Sequence, residues 1–235
     1  MALPKIDQPL FELEIPSTSK KAKYRPFTVK EEKILMIAQE SKDMDQIILS
    51  IKQVINNCMP DVDVDTLSVF DLEYIILNIR AKSVNNEISF AFEDEETGEK
   101  VETVIDINDV KVQFNDEHSK KIDINDQYYM MMRYPSLEEV RQMQAVEEGS
   151  TEQMFATMIS CIDTLVDESS DEVFKLSDFS SEEVSDFVDG FTSSVVEDIQ
   201  KFYVTMPKLR HTIDYKNSKG NAHQFVVEGM DSFFT

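Results

Sequence analysis

Apolar and acidic positions alternate with period two over Leu10-Phe-Glu-Leu-Glu-Ile15, the signature of a strand with one buried face. Ser17 to Lys21 supply a turn, and Lys23 to Phe27 a return strand. The period then becomes helical. Ile34, Leu35, Ile37 and Ala38 recur at the spacing of a helix over about residues 29–41. Thr28 and Glu31 precede it as a Ser/Thr-x-x-Glu capping box, the hydroxyl accepting one orphan backbone N–H while the carboxylate reaches back to another. Pro26 blocks any backward extension of the helix. Loss of Thr28 is expected to cost more than loss of Glu31. Asp43 caps a second helix, about 44–57, with Met44, Ile47, Ile48, Ile51, Val54 and Ile55 on one stripe. A third helix, about 68–82, carries Val69, Leu72, Ile75, Ile76 and Ile79.

Period two returns over Glu87–Glu93 and again over Val101–Ile107, with a polar, Gly-containing turn between them: a β-hairpin. Val110–Phe114 and Lys121–Ile124 are candidates for short added strands, and Pro135 closes this region. Residues 136–206 read as entirely helical. Ser136 with Glu139 and Ser180 with Glu183 form two more capping boxes. A helix is expected from about 152 to 166, with Met154, Phe155, Met158, Ile159, Ile162 and Leu165 as its core stripe. Another opens at Val184, Phe187 and Val188. A last one, about 193–205, stops at Pro207. Leu209–Tyr215 and His223–Val227 form a second hairpin around Asn217–Asn221. The class expected is α+β: mainly helical, with an N-terminal β-hairpin, a central β-hairpin region and a C-terminal β-hairpin. Three stretches follow, 1–82, 83–135 and 136–235, forming one cooperative unit.

With 41% hydrophobic residues the chain has enough apolar content for a core. No apolar run reaches the ~20 residues of a membrane span, and the N-terminus lacks the apolar region of a signal peptide. The net charge of −23 is uneven: −2 over 1–82, −8 over 83–135, −14 over 136–206 and +1 over 207–235. Such acidity repels phosphate backbones, so nucleic acid is not an expected partner. Solubility explains most of an acidic face; a surface matched to a basic partner is the sharper alternative. Cys58 and Cys161, far apart in apolar contexts, read as buried free thiols of a reducing compartment.

Chemistry is sparse. His118, His211, His223, Cys58 and Cys161 have no ligand-type spacing, although His211 and His223 are placed to face each other across the last hairpin; no metal or other cofactor is expected. Asp61, Asp63 and Asp65 imitate the start of a calcium loop, but Thr66 and Leu72 stand where Gly and Glu are required. No Ser or Cys sits in a nucleophile motif, and the five glycines are scattered singly. No catalytic residue is assigned, and the chain is read as not an enzyme. Two apolar features stand apart: Tyr128-Tyr-Met-Met-Met-Arg-Tyr134 and the C-terminal end with Phe233 and Phe234. Core packing explains both; docking surface is the alternative. On the second view Tyr128, Tyr129, Met131, Tyr134, Phe233 and Phe234 are candidate interface residues.

Five phrases in order carry a resemblance. They are Pro16–Ser41, with its Tyr-Arg-Pro-Phe-Thr-Val-Lys-Glu-Glu-Lys core; Tyr74–Val84; Met131-Met-Arg-Tyr-Pro-Ser136; Phe202–Thr212; and Val227–Phe234. Together they resemble the small baseplate hub proteins of T-even-like contractile-tailed phages. Relatives in that family carry Cys-x-x-Cys pairs at hairpin turns; the turns here, Glu93–Gly98 and Lys216–Gly220, contain no cysteine, which argues against a metal ribbon. The resemblance implies a non-enzymatic structural or assembly component of the baseplate central hub, made in the host cytoplasm, with other hub or tail proteins as partners and the virion tail as its place. A transient acidic assembly chaperone, absent from the mature virion, is the alternative. A small envelope-degrading enzyme is a third option, against which the missing catalytic constellation stands.

Overall fold

The computed structural model describes residues 6–140, 156, 159–229 and 232. The chain divides into two compact units, Met1–Gln113 with Lys208–Thr235, and Phe114–Pro207.

The first unit opens with an antiparallel hairpin, β1 (Phe11–Ile15) and β2 (Lys20–Tyr24). Three helices follow: α1 (Val29–Ser41), α2 (Met44–Cys58) and α3 (Val69–Ser83). Phe70, Leu72, Ile75, Ile76, Leu77, Ile79 and Ala81 of α3 are all buried, on every side of the helix. A helix apolar all round belongs inside a fold rather than on its surface. Its N-terminus is closed by Ser68 and Asp71, another capping box. Leu77 and Ala81 pack against Ile88 and Phe92 of β3 (Glu87–Glu93), Ile105 of β4 (Lys100–Asp106), and Leu209, Ile213 and Val227. The last three come from β10 (Lys208–Lys216) and β11 (Ala222–Glu228), which form a sheet in the order β11-β10-β5 with β5 (Lys111–Gln113).

The two cysteine-free turns are joined by hydrogen bonds between side chains. The Asp94 carboxylate accepts the Thr97 N–H and hydroxyl at 2.8 and 2.7 Å and the Tyr215 hydroxyl at 2.7 Å. The Glu96 carboxylate accepts from Asn217 at 2.8 Å, Asn221 at 3.0 Å and Lys219 at 3.2 Å, and lies 3.0 Å from His223 Nε2. Gly98 (φ 72°) and Gly220 (φ 83°) supply the left-handed backbone each turn needs. His223 pairs with Tyr215 and His211 with Val227, so the two histidines do not face each other as the sequence suggests.

In the second unit β6 (Lys121–Asp123), β7 (Tyr128–Met132), β8 (Ile162–Asp167) and β9 (Glu172–Lys175) form one antiparallel sheet in chain order. Helices α4 (Ser181–Val188) and α5 (Ser193–Thr205) complete it. Val195, Ile199 and Phe202 of α5 pack on Ile122, Met130, Met132, Cys161 and Ile162.

The expectation of a mainly helical protein is overturned: the chain is 39% helix and 30% strand, a mixed α+β fold of several small antiparallel sheets. The largest error lies in residues 136–206, expected to be all helical, which contain β8 and β9. Ile162 and Leu165, three apart, imitate a helical stripe. In the structure a register shift between Met131 and Met132 sets Ile162 opposite Met132 and Leu165 opposite Met130, so one bulge puts both on the inner side, while Thr164, Leu165 and Val166 are all half-exposed and the alternation is blurred. Of the helix expected over 152–166, residues 156, 159 and 160 are helical, while 152–155, 157 and 158 lie outside the described residues.

One local device recurs in both units. Arg25 follows β2 directly, and its N–H donates to the Cys58 carbonyl at 3.0 Å. Its guanidinium donates to both oxygens of Glu31, at 3.0 and 3.4 Å. Glu31 also accepts the Thr28 N–H at 2.9 Å and hydroxyl at 2.6 Å, and is only 1% exposed. Arg133 follows β7 directly, and its N–H donates to the Cys161 carbonyl at 2.8 Å. Its guanidinium donates to Glu139 at 2.6 and 2.8 Å, and Glu139 accepts the Ser136 N–H at 2.8 Å. Both glutamates stand six residues after their arginine and three after the capping Thr or Ser.

The carboxylate, not the hydroxyl, is therefore the centre of the first cap, the reverse of the weight expected from the sequence. Glu31→Ala would strand a guanidinium and an N–H and is expected to cost about 3 kcal/mol. Thr28→Ala should cost about 1 kcal/mol. Denaturant unfolding of the two variants measures both; equal costs would show that the hydroxyl carries the cap.

Candidate functional site

The sheet of the second unit presents two different faces. Successive strand residues point to opposite sides. Met130 and Met132 of β7 turn inward and are buried in the core. Tyr129 and Met131 turn outward and are half-exposed. Register extends this outer face. Tyr129 pairs with Val166 and Met131 with Thr164 of β8, and these pair with Val173 and Lys175 of β9. Val173 is 57% exposed. The outcome is an outward patch of Tyr129, Met131, Val166 and Val173, flanked by charge. Lys121 lies 4.2 Å above the Tyr129 ring and bridges Asp123 and Glu168.

Two other candidates, Tyr128 and Tyr134, lie away from this patch. Tyr128 is on the opposite side of β7; its hydroxyl accepts a hydrogen bond from Gln127, which also donates to the Asp167 carboxylate. Tyr134 lies past the strand end in a triangle of rings, 5.6 Å from His118 and 5.8 Å from Phe202, which are themselves 5.1 Å apart. Its hydroxyl is 3.1 Å from His118 Nε2, and Lys120 sits 4.1 Å over its ring. Burial, aided by Lys120, lowers the His118 pKa, and Thr205 Oγ1 is 3.0 Å from its Nδ1. Phe233 and Phe234 lie outside the described residues.

Next to the second Arg–Glu pair is an open cleft of about 580 Å³, lined by Arg133, Ile159, Ile162, Leu176, Phe179 and Val184 among others. Four serines, Ser160, Ser177, Ser181 and Ser185, also line it, but no histidine does. Cys161, behind the cleft, is fully buried, and desolvation pushes its thiol pKa up. Desolvation likewise pushes Cys58 up to about 11 despite the nearby Arg25. Neither thiol is a ready nucleophile, since the thiolate is the reactive form. Both cysteines are free. Among the described residues no group of three His, Cys, Asp or Glu is placed to hold a metal ion, and no helix is long and apolar enough to cross a membrane.

Electrostatics mark the Arg–Glu pairs as structural. Burial alone would raise the Glu31 carboxyl, but hydrogen bonds from Arg25 and Thr28 outweigh it and hold it at about 2. Glu139 follows the same pattern, with burial overcome by Arg133 and Ser136, and also rests at about 2. The partner arginines are pushed up in turn, each chiefly by its hydrogen bond to the glutamate. Arginine six residues before the glutamate of a capping box was the available sequence signal, and only the boxes themselves were recognised.

The described residues thus combine polar groups held in internal hydrogen bonds, thiols held neutral and an outward apolar sheet face. The chain matches the T4 bacteriophage base plate protein family over residues 8–235, nearly its whole length, and belongs to that family. Comparisons with curated proteins and with solved structures return no match.

Glu31 and Glu139 have folded pKa values below the unfolded one, so their stabilisation is complete above about pH 4.5 and is lost as pH falls towards about 2. Acid titration of stability should show a steep decline in that window. Glu139→Gln, less stable at neutral pH, should decline less steeply there. An unchanged acid profile in Glu139→Gln would show that its carboxyl titrates normally in the fold.

Proposed function

We propose that this base plate family member is a non-enzymatic component of the central hub of the tail baseplate, acting through protein–protein contacts. The observation that carries this reading is the outer sheet face with Tyr129 and Met131 at its centre. An apolar patch rimmed by charge on an otherwise strongly acidic chain fits a contact surface. The five sequence phrases shared with small hub proteins direct the choice of hub within the baseplate. Other hub or tail proteins are the partners, met in the host cytoplasm during assembly. Phe233 and Phe234 are a second anchor on this view. The net charge of −23 disfavours a nucleic-acid partner.

A second reading, a transient acidic assembly chaperone, is favoured by one observation. Residues 114–207 hold 21 acidic and 6 basic side chains, a net −15. Such a charge speeds encounter with a basic subunit and is screened by salt.

Immunoblotting of purified particles separates the two. The hub reading expects the protein in mature particles, and expects Tyr129→Glu/Met131→Glu to fold by circular dichroism yet fail to enter them. Presence in assembling extracts with absence from mature wild-type particles would establish the chaperone. Normal incorporation of the double variant would remove the sheet face from the contact.

A further inference from the structure

The recurrence of the Arg–Cys hydrogen bond exposes a difference between the two units. In the second, Arg133 N–H meets the Cys161 carbonyl, and the chain continues from Cys161 as β8, along the outer edge of β7. In the first, Arg25 N–H meets the Cys58 carbonyl in the same way. Here the chain does not continue along β2. Pro60, two residues on, has no N–H to give a ladder, and the path turns into a short 3-10 helix at Val64–Thr66. Among the described residues no strand covers on β2 the edge that β8 covers on β7, and its one strand partner is β1.

Which groups face that edge follows from strand alternation. Arg25 directs its N–H outward, to Cys58. In an antiparallel ladder the residues two and four before it present their N–H and C=O on the same side. These are Lys23 and Lys21. Their side chains are exposed, as is that of Lys20. On the inner side the hairpin already matches lysine with acid: Glu12 pairs with Lys23 and Glu14 with Lys21, and the Lys21 ammonium lies 3.3 Å from Glu12.

We propose that the outer edge of β2 is a docking site for an extended segment of another protein, added antiparallel to β2 as β8 is added to β7. The segment carries acidic residues at alternate positions, opposite Lys21 and Lys23, and apolar residues between them. Backbone hydrogen bonds provide the attachment and the lysines choose the sequence. Lysines on an edge also oppose pairing between two copies of β2, since like charges opposite one another repel.

Amide exchange resolved by NMR tests the site on the full chain. The probes are two synthetic peptides at millimolar concentration, Thr-Glu-Val-Glu-Val-Thr and Thr-Lys-Val-Lys-Val-Thr. The acidic peptide is expected to slow exchange at the Lys21 and Lys23 amides about tenfold, with little effect at Ala22, whose N–H already faces β1. The lysine peptide should do nothing. Lys21→Gln/Lys23→Gln, which removes the charges without setting acid opposite Glu12 and Glu14, should abolish that preference. No slowing by the acidic peptide, or equal slowing by both, overturns the proposal. Protection of the two amides in the free protein that grows with its own concentration also overturns it, by showing that the occupant is a second copy.

Discussion

A buried carboxylate is tolerated only when it is paired and its lone pairs are used. Glu31 meets that condition through a guanidinium, a backbone N–H and a hydroxyl, and much of the first unit is fixed by it. The pair holds the exit of β2 against the first turn of α1. The Arg25 N–H ties the same point to the end of α2 at Cys58. One residue thereby sets the relation of hairpin, first helix and second helix. The second unit repeats the solution with Arg133, Ser136, Glu139 and Cys161. A further likeness follows in each: a 3-10 turn, then a hydrophobic residue, then a serine N-cap with an acid three residues on. These are Leu67, Ser68 and Asp71 in one unit and Phe179, Ser180 and Glu183 in the other.

The sequence made the caps and the strongly periodic elements legible. The first helix falls on the expected residues 29–41, and the last on 193–205. Both hairpins of the first unit that follow helices are present. The capping boxes at Thr28, Ser136 and Ser180 were visible because they are local, fixed-spacing chemistry. The arginines were not, because their role depends on a strand end meeting a helix start. The four-stranded sheet was hidden for a different reason. Tyr128–Met132 is apolar on both faces, so it shows no period of two. β8 carries Ile162 and Leu165 at a helical spacing of three, which a strand accommodates only through the register shift against Met131 and Met132. The candidate contact residues of the β7 region do not share one face. Tyr129 and Met131 share a face, while Tyr128 turns to the other side and Tyr134 is engaged by His118 and Phe202.

On the reading proposed above, what the fold offers a base plate assembly is contact surface. The two thiols are buried among apolar groups and held neutral, and the most strongly held carboxylates are committed to internal hydrogen bonds. Rigid caps then leave two kinds of surface to partners: an apolar sheet face in one unit and a lysine-lined strand edge in the other. The first suits a broad, flat contact. The second suits a single extended segment.

The claim on which the rest stands is that the Arg–Glu pairs are energetically coupled, not merely adjacent. A double-mutant cycle at each pair measures this directly, using Arg25→Ala with Glu31→Ala, and Arg133→Ala with Glu139→Ala, followed by denaturant unfolding. Coupling of about 2 kcal/mol in each cycle is the predicted result, within the range seen for residues in one ion-pair network. Additive losses, with coupling below about 0.5 kcal/mol in both cycles, would contradict it and leave the recurring geometry without an energetic role.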